Sequence, residues 1–381
     1  MDLLIRNARL LSGGHADIGI DGGRFVEPHG VPAEVIDATG LVAAPGFVDG
    51  HRHVWQAPLR GLGPDMTLPG YFDAVLSRRP TPEQAHLATL LGAAEALDAG
   101  ITTVLDFCNV IRSPSHAEAV FDAYGVSGIR AVVSHDHPAA SRGRVTQAKA
   151  VFCTAMGSFD DARGGILLAR ESGVLATMHT GGGVGQVQAL SDAGLLGPHL
   201  HLVHLNGLTA DEAQLLADSG TGVTITPVVE ATMGHGRSPW TTFTEAGGRA
   251  GLGTDVAVNA PPDLFEPMRD TLRQHRMATA TMHPAADLLA TVTIDSARAI
   301  GLGDEIGLIE PGRRADLVLL DGLAHLPGDA DVTGAVVTCL GVPDVHTVIV
   351  DGTVVKRDGR LTVVDLPELR HATRRILSVT S

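Results

Sequence analysis

The sequence predicts an α/β protein with a (β/α)8 barrel at its centre and a small β-sandwich assembled from both chain ends. Three observations predict it. Short apolar runs alternate with helical stretches through the middle of the chain. Eight such runs can be picked out, which is the strand number of a closed barrel. The two ends read differently, as β-branched runs broken by Gly and Asp. This divides the chain into residues 1–45 as the first part of the sandwich, 46–304 as the barrel, and 305–381 as the rest of the sandwich with a tail.

Each element has a local reason. At the N-terminal end LLIRNARLL, ADIGIDGGRFV and EVIDATGLVAA are short strands, with Asp21-Gly22-Gly23 as a turn. In the middle, Thr81-Pro82-Glu83-Gln84 is a capping box with proline at the first helical position. Leu87, Leu90, Leu91, Ala94 and Leu97 follow at helical spacing, and Gly100 ends the helix. The buried run ITTVLDF comes next. Thr209 and Glu212 repeat the box in TADEAQLLADSG, and GVTITP follows. The strand candidates are GFVDGHRH, ITTVLDF, IRAVVSH, AKAVFCTA, VLATMHT, LHLVHL, GVTITP and RAGLGTD. At the C-terminal end ADLVLLD, AVVTCL and HTVIVDGTVVKRDG read as strands, with Asp351-Gly352 as a hairpin turn. An open doubly wound sheet would share the alternation. Polar residues gathered at the strand C-terminal ends favour the TIM-type barrel, which builds its active site there.

Composition narrows the function. Hydrophobic residues are 44% of the 381 and aromatics only 3%, so a large core must be built mostly from Ala, Val, Leu and Ile. A formal net charge of −15 repels phosphate backbones and argues against nucleic acid as a partner. Cys108, Cys153 and Cys339 are too few and wrongly spaced for a disulfide framework or a cysteine zinc site. The opening MDLLIRNARLL carries Asp2 and Arg6 and lacks the apolar core of a signal peptide. No apolar run approaches the ~20 residues that span a bilayer, so a cytoplasmic protein without a membrane partner is expected. The expected partner is a small-molecule substrate, with a homodimer left open.

The chemistry starts at His51 and His53. In a strand, residues two apart share a face, so these imidazoles can grip one ion while Arg52 points away. Alone the pair means little among 18 histidines. ATMHT, however, puts His179 at the end of an apolar strand, LHLVH puts His204 at the end of the next, and GLGTD puts Asp255 at the end of the last. One strand-end histidine is ordinarily a packing residue; five such groups on one rim are not explained by packing. Three imidazoles and a carboxylate suit one divalent metal ion, Zn²⁺ first and Fe²⁺ second. Such an ion lowers the pKa of bound water toward ~7 and so supplies hydroxide at neutral pH. Asp255 can bind the metal and accept the proton of the water.

PGFVDGHRHVWQAPLRGL, AGITTVLDF, ATMHT, HLVHLNGLTADEAQLLADSG, TPVVEATMGHG, GLGTDVAVNAP and IEPGRRADLVLLD together resemble the amidohydrolase superfamily, in its cytosine deaminase and triazine hydrolase branch. The resemblance implies His51, His53, His179 and Asp255 as metal ligands and His204 as the histidine that meets substrate or water. Two-metal members carry a carboxylated lysine at the end of strand four. Here Lys149 opens the expected strand and Cys153 and Thr154 stand at its far end, which favours one metal. Deaminases of this branch carry a glutamate three residues after the fifth-strand histidine, where this chain has Gly182. Glu230, expected at the end of strand seven, is the candidate to take over proton transfer or bind a substrate amine; a surface or supporting glutamate is the alternative.

Further candidates line the rim. Trp55, Gln56 and Arg60 follow the first strand, and Trp55 could stack on a flat heterocycle. His235 sits between glycines that let backbone approach a ligand. His135, with Asp136 and His137, lies at the end of the third strand, and the loop that follows is short for the branch, leaving a more open pocket. Asp106 is expected to be structural, and so are His199 and His201, the latter on the face opposite His204. The function expected is deamination of a small nitrogen heterocycle by metal-activated hydroxide. Hydrolysis of a cyclic amide, amide or imine is the alternative within the enzyme class, and a non-catalytic metal-binding barrel the alternative outside it.

Overall fold

The computed structural model describes residues 1–137, 141–152, 157–181 and 185–378. Its strands in chain order are β1 Leu3–Leu10, β2 His15–Asp21, β3 Arg24–Val26, β4 Glu34–Asp37, β5 Val42–Pro45, β6 Phe47–Arg52, β7 Ile101–Phe107, β8 Arg130–His135, β9 Val145–Val151, β10 Ala176–Gly181, β11 Leu200–Asn206, β12 Gly222–Ile225, β13 Gly251–Leu252, β14 Leu317–Leu320, β15 Val345–Val350, β16 Thr353–Arg357 and β17 Arg360–Leu361.

β6 to β13 form one parallel sheet in sequence order. It closes on itself: Asp255 N–H donates to His51 O and His53 N–H donates to Asp255 O, each at 2.9 Å. The expected barrel is therefore present, with helices between its strands except from β8 to β9, where no helix is described. The capping boxes at Thr81–Gln84 and Thr209–Glu212 both form and open the helices Pro82–Asp98 and Ala210–Ser219. The strands are buried throughout β6, β7 and β8, as parallel strands covered by helices must be.

Strands from both ends join as one nine-stranded sheet in the order β17-β16-β15-β14-β5-β1-β2-β3, with β4 beside β1. The turns fall where the sequence places them. Gly22 and Gly23 take positive φ between β2 and β3, and Asp351 and Gly352 do so between β15 and β16. Two expectations are corrected. AVVTCL is not a strand: it belongs to the helix Val332–Cys339, which the Asp331 side chain starts by accepting from Gly334 N–H at 2.8 Å. The tail is a helix too, Leu366–Ser378, docked through Leu366 and Leu369 beside Ala57, Leu90 and Leu91.

A buried ion pair joins barrel and end sheet. Arg130, first residue of β8, meets both oxygens of Asp316 at 3.2 Å through Nε and Nη2. Asp316 precedes β14 and also accepts Asp351 N–H at 2.7 Å. Removing the guanidinium leaves a carboxylate 2% exposed without its counter-charge. Arg130→Leu should therefore lower stability by about 3–5 kcal/mol, seen as a clear drop in Tm by calorimetry. A Tm unchanged within error would show that the pair holds nothing together.

Candidate metal centre and active site

β6 brings His51 and His53 to the rim through a break in its pairing. Asp49 pairs with Val104 but Arg52 pairs with Asp106, so β6 holds one extra residue there. Gly50 sits in that bulge. A Cβ on it would lie 2.4 Å from Thr224 Oγ1 across the barrel, so only glycine fits. Gly253 is constrained in the same way, since a Cβ would meet His51 O at 2.6 Å and His51 N at 2.9 Å. Asp49, on the other face of β6, accepts Thr254 N–H at 3.1 Å and Thr254 Oγ1–H at 2.6 Å. It thus ties the strand to the segment that carries Asp255.

The donors converge. His51 Nε2 lies 3.3 Å and His53 Nε2 3.4 Å from the same oxygen, Asp255 Oδ1. The ligand atoms of His51, His53 and Asp255 lie within 4.8 Å of one another, and those of His51, His179 and His204 do likewise. The His179 ring stacks on His53 with centroids 5.4 Å apart and meets His51 edge-on at 4.7 Å. Phe107 closes one side, 4.3 Å from the His179 ring. His53 Nδ1 lies 2.8 Å from Phe107 O, and a carbonyl only accepts, so Nδ1 carries the proton and Nε2 offers its lone pair.

These groups fit a metal. His51 is fully buried, and among the described residues neither of its ring nitrogens has a hydrogen-bond partner. Such a group is costly unless something else satisfies it. Burial pushes His51 down to about 4 against the pull of Asp255. Burial, then the neighbouring histidines, hold His179 well below its usual range. Both rings are therefore neutral at pH 7, the form that ligates. Burial alone would raise Asp255, but His51 and the other imidazoles drive it below its usual range, so it is an anion. The residues present thus form a site for one divalent cation.

His204 reaches the centre by leaving strand geometry. Thr180 pairs with His204 and Gly181 with Asn206, and His204 and Leu205 take φ of 74° and 62°. This bulge turns the His204 ring inward, where it lies 5.7 Å from the His51 ring. His201 is therefore not on an opposite, outer face as expected. It lies inside the barrel, fully buried, with Thr177 Oγ1 and Thr224 Oγ1 each at 2.8 Å from one of its ring nitrogens. Its structural role stands. Asp106 is structural as well, accepting Val54 N–H at 3.0 Å and Tyr124 O–H at 2.8 Å.

Other candidates separate. Glu230 is on the helix Pro227–Thr232 rather than a strand end, because Pro227 starts a helix directly after β12. It is 1% exposed and its Oε1 lies 3.4 Å from His204 Nδ1. His235 N–H donates to Glu230 O at 2.8 Å, and burial, followed by His204, lowers its pKa. Gln56 is fully buried and donates to Tyr71 O–H at 2.6 Å; Trp55 is buried too, its indole N–H on Asn109 Oδ1 at 2.5 Å. Burial and then the Asp255 charge raise Tyr71. Arg60 turns away to pair with Glu95 on the helix Pro82–Asp98. His135 turns outward against Phe121, 5.7 Å between rings, and His199 meets Arg170 at the surface.

β9 begins at Val145, so Lys149 does not open the strand. It pairs with His135 and Ala176, on the alternation opposite to Thr177 and His179, and its Nζ meets Asp136 at 2.5 Å. It points away from the metal donors, which supports a single ion on firmer ground than its sequence position did. Cys153, Thr154 and Gly182 lie outside the described residues. Sequence reasoning missed Thr226, Tyr71, Asn109 and Phe107. Only Thr226 carried a signal, being two residues after the inward Thr224.

A TIM-type barrel with a His51–His53–Asp255 cluster, overlapping a His51–His179–His204 cluster, defines a metal-dependent hydrolase scaffold. The chain belongs to the amidohydrolase family, whose model matches residues 42–355. It is 30% identical to a 5-methylthioadenosine/S-adenosylhomocysteine deaminase of Symbiobacterium thermophilum, over 88% of this chain and 86% of that one. It is 27% identical to a 5'-deoxyadenosine deaminase of Methanosarcina mazei, over 87% and 84%. In fold it is similar to an adenosine deaminase of Xanthomonas campestris with bound zinc, with TM-score 0.88, 23% identity, and 100% and 98% of the chains covered. It is also similar to an atrazine chlorohydrolase variant of Arthrobacter aurescens with zinc and atraton, with TM-score 0.87, 21% identity, and 98% and 100% covered.

Two outcomes follow from this geometry. His51→Ala combined with His53→Ala should leave well under one equivalent of metal by elemental analysis; near-full content would overturn the ligand set. In the metal-free protein, burial holds His51 near 4 and His201 near 3, against an ordinary 6.5. Between about 6.5 and about 4 the unfolded chain then binds more protons than the folded one, so stability must fall as pH falls through that window. A metal-free Tm flat across it would contradict these assignments.

Proposed function

We propose that this protein is a zinc-dependent aminohydrolase that deaminates a small nitrogen heterocycle. The observation that carries the proposal is His51: a wholly buried imidazole with no hydrogen-bond partner among the described residues, ringed by His53, His179, His204 and Asp255. Zinc is supported by the donor set and by its presence in the similar structures. Deamination is supported by the relatives, which are deaminases over most of their length. A small-molecule substrate and a cytoplasmic setting belong to the same proposal, and the charge of −15 supports a protein that does not bind nucleic acid. No described helix is long and apolar enough to cross a membrane.

His51, His53, His179 and Asp255 would hold the ion, which supplies a nucleophile from water at neutral pH and polarises the bond to be cut. Asp255, an anion against two imidazoles, takes a proton at its carboxylate. His204 faces the same point from across the ring, placed to hold a substrate or water atom. Closure of β6 against Asp255 keeps His51, His53 and Asp255 buried, while His179 and His204 are half-buried toward the open rim.

Hydrolysis of a cyclic amide or imine is the second reading, favoured by one fact: glycine at 182 where the branch's deaminases carry glutamate. Ammonia release by zinc-loaded protein across purine nucleosides, pyrimidines, pterins and triazines separates the two. Turnover with ammonia from at least one amino-heterocycle is expected, and Asp255→Asn should cut it by about 10²–10⁴-fold with the fold intact. Ring opening without ammonia would select the second reading. Metal-replete protein inert on every amine and amide tested would sink both.

A further inference from the structure

Behind His204 stand two buried polar groups that the ligand set does not use. Thr226 is fully buried and ends the turn from β12 into the helix Pro227–Thr232. Glu230 lies one helical turn further on. Its Oε1 accepts Thr226 N–H at 3.0 Å and Thr226 Oγ1–H at 3.2 Å. A hydroxyl has one proton, and this one is committed to Glu230. Thr226 Oγ1 therefore shows only lone pairs to His204 Nδ1, 2.9 Å away. With a neutral His204 ring and an ionised Glu230, the arrangement that uses all three contacts has Nδ1 carrying the imidazole proton and donating to Thr226, with Nε2 left as an acceptor.

The backbone gives a reason for the device. His204 stands in the left-handed region at φ 74° beside Leu205 at 62°, a conformation that costs free energy in residues with a Cβ. Strand geometry would not hold the ring inward, so a side-chain hydrogen bond must. We propose that Thr226 and Glu230 are positioning residues which fix the orientation and tautomer of His204, so that Nε2 faces the reacting centre as a lone-pair acceptor. The activity arm of the test rests on the deaminase reading; the tautomer arm does not.

In the zinc-loaded protein, ¹⁵N NMR of the His204 ring, assigned by its loss in His204→Gln, should show Nδ1 protonated and Nε2 bare. Thr226→Val removes the hydroxyl at nearly constant shape. It should lower kcat by about 10–100-fold with KM little changed and one equivalent of zinc retained. Thr226→Ser restores the hydroxyl and should restore kcat. An Nε2–H tautomer in the unaltered protein would overturn the proposal, even if Thr226→Val does not fold. So would equal kcat in the Val and Ser variants, or loss of zinc in Thr226→Val, which would make the pair a support of the metal site instead. An Nδ1–H ring in a protein that releases no ammonia would leave the positioning role standing and defeat the deaminase reading.

Discussion

The centre depends on the main-chain hydrogen bonds that close the barrel. Asp255 N–H binds His51 O and His53 N–H binds Asp255 O, so the bonds that join the last strand to the first run between the proposed metal ligands. Residues some two hundred positions apart are thereby set at fixed distance before any side chain is considered. Gly50 and Gly253 let this happen, each standing where a Cβ would strike the opposite strand. Asp255 itself takes φ of 57°, a conformation Asp tolerates better than most residues. Closure and ligation are one constraint, and the centre is rigid because the sheet is.

That rigidity has a cost in desolvation. His51 and His201 are fully buried and His53 nearly so. The interior treats them differently. His201, lower in the barrel, is satisfied by two threonine hydroxyls. His51, at the rim, has no hydrogen-bond partner among the described residues. Burial keeps both rings neutral, and a neutral imidazole with a free lone pair beside an anionic aspartate is what a cation stabilises. The metal-free centre is accordingly the weak point of an otherwise well-packed interior, and binding and folding are coupled there.

Much of this was legible in the sequence because the signals are local and repeated. The capping boxes at Thr81 and Thr209 and the glycine turns at 22–23 and 351–352 all form as expected. ITTVLDF is β7 residue for residue. Ligand-type residues at strand ends are visible because a parallel barrel puts every strand end on one rim. What was not legible was set by tertiary context. AVVTCL has β-branched residues but follows an aspartate cap and packs as a helix. Arg60 and His135 lie close to the site in sequence yet turn to Glu95 and Phe121, because loop and strand-end side chains follow the partners they find.

His204 shows where period-two reasoning fails and why it fails at the site. By strand alternation His201 and Val203 share the inner face and His204 belongs outside. Two successive left-handed residues break that alternation and send His204 inward after all. A regular strand could supply one inward group per two residues; the bulge adds another at the height where it is needed. The conformation is held from outside the strand, through Thr226 and the helix that Pro227 begins. The same proline puts Glu230 on a helix instead of a strand end, one turn along and behind the imidazole. Glu230 is thereby placed to act on His204 through Thr226.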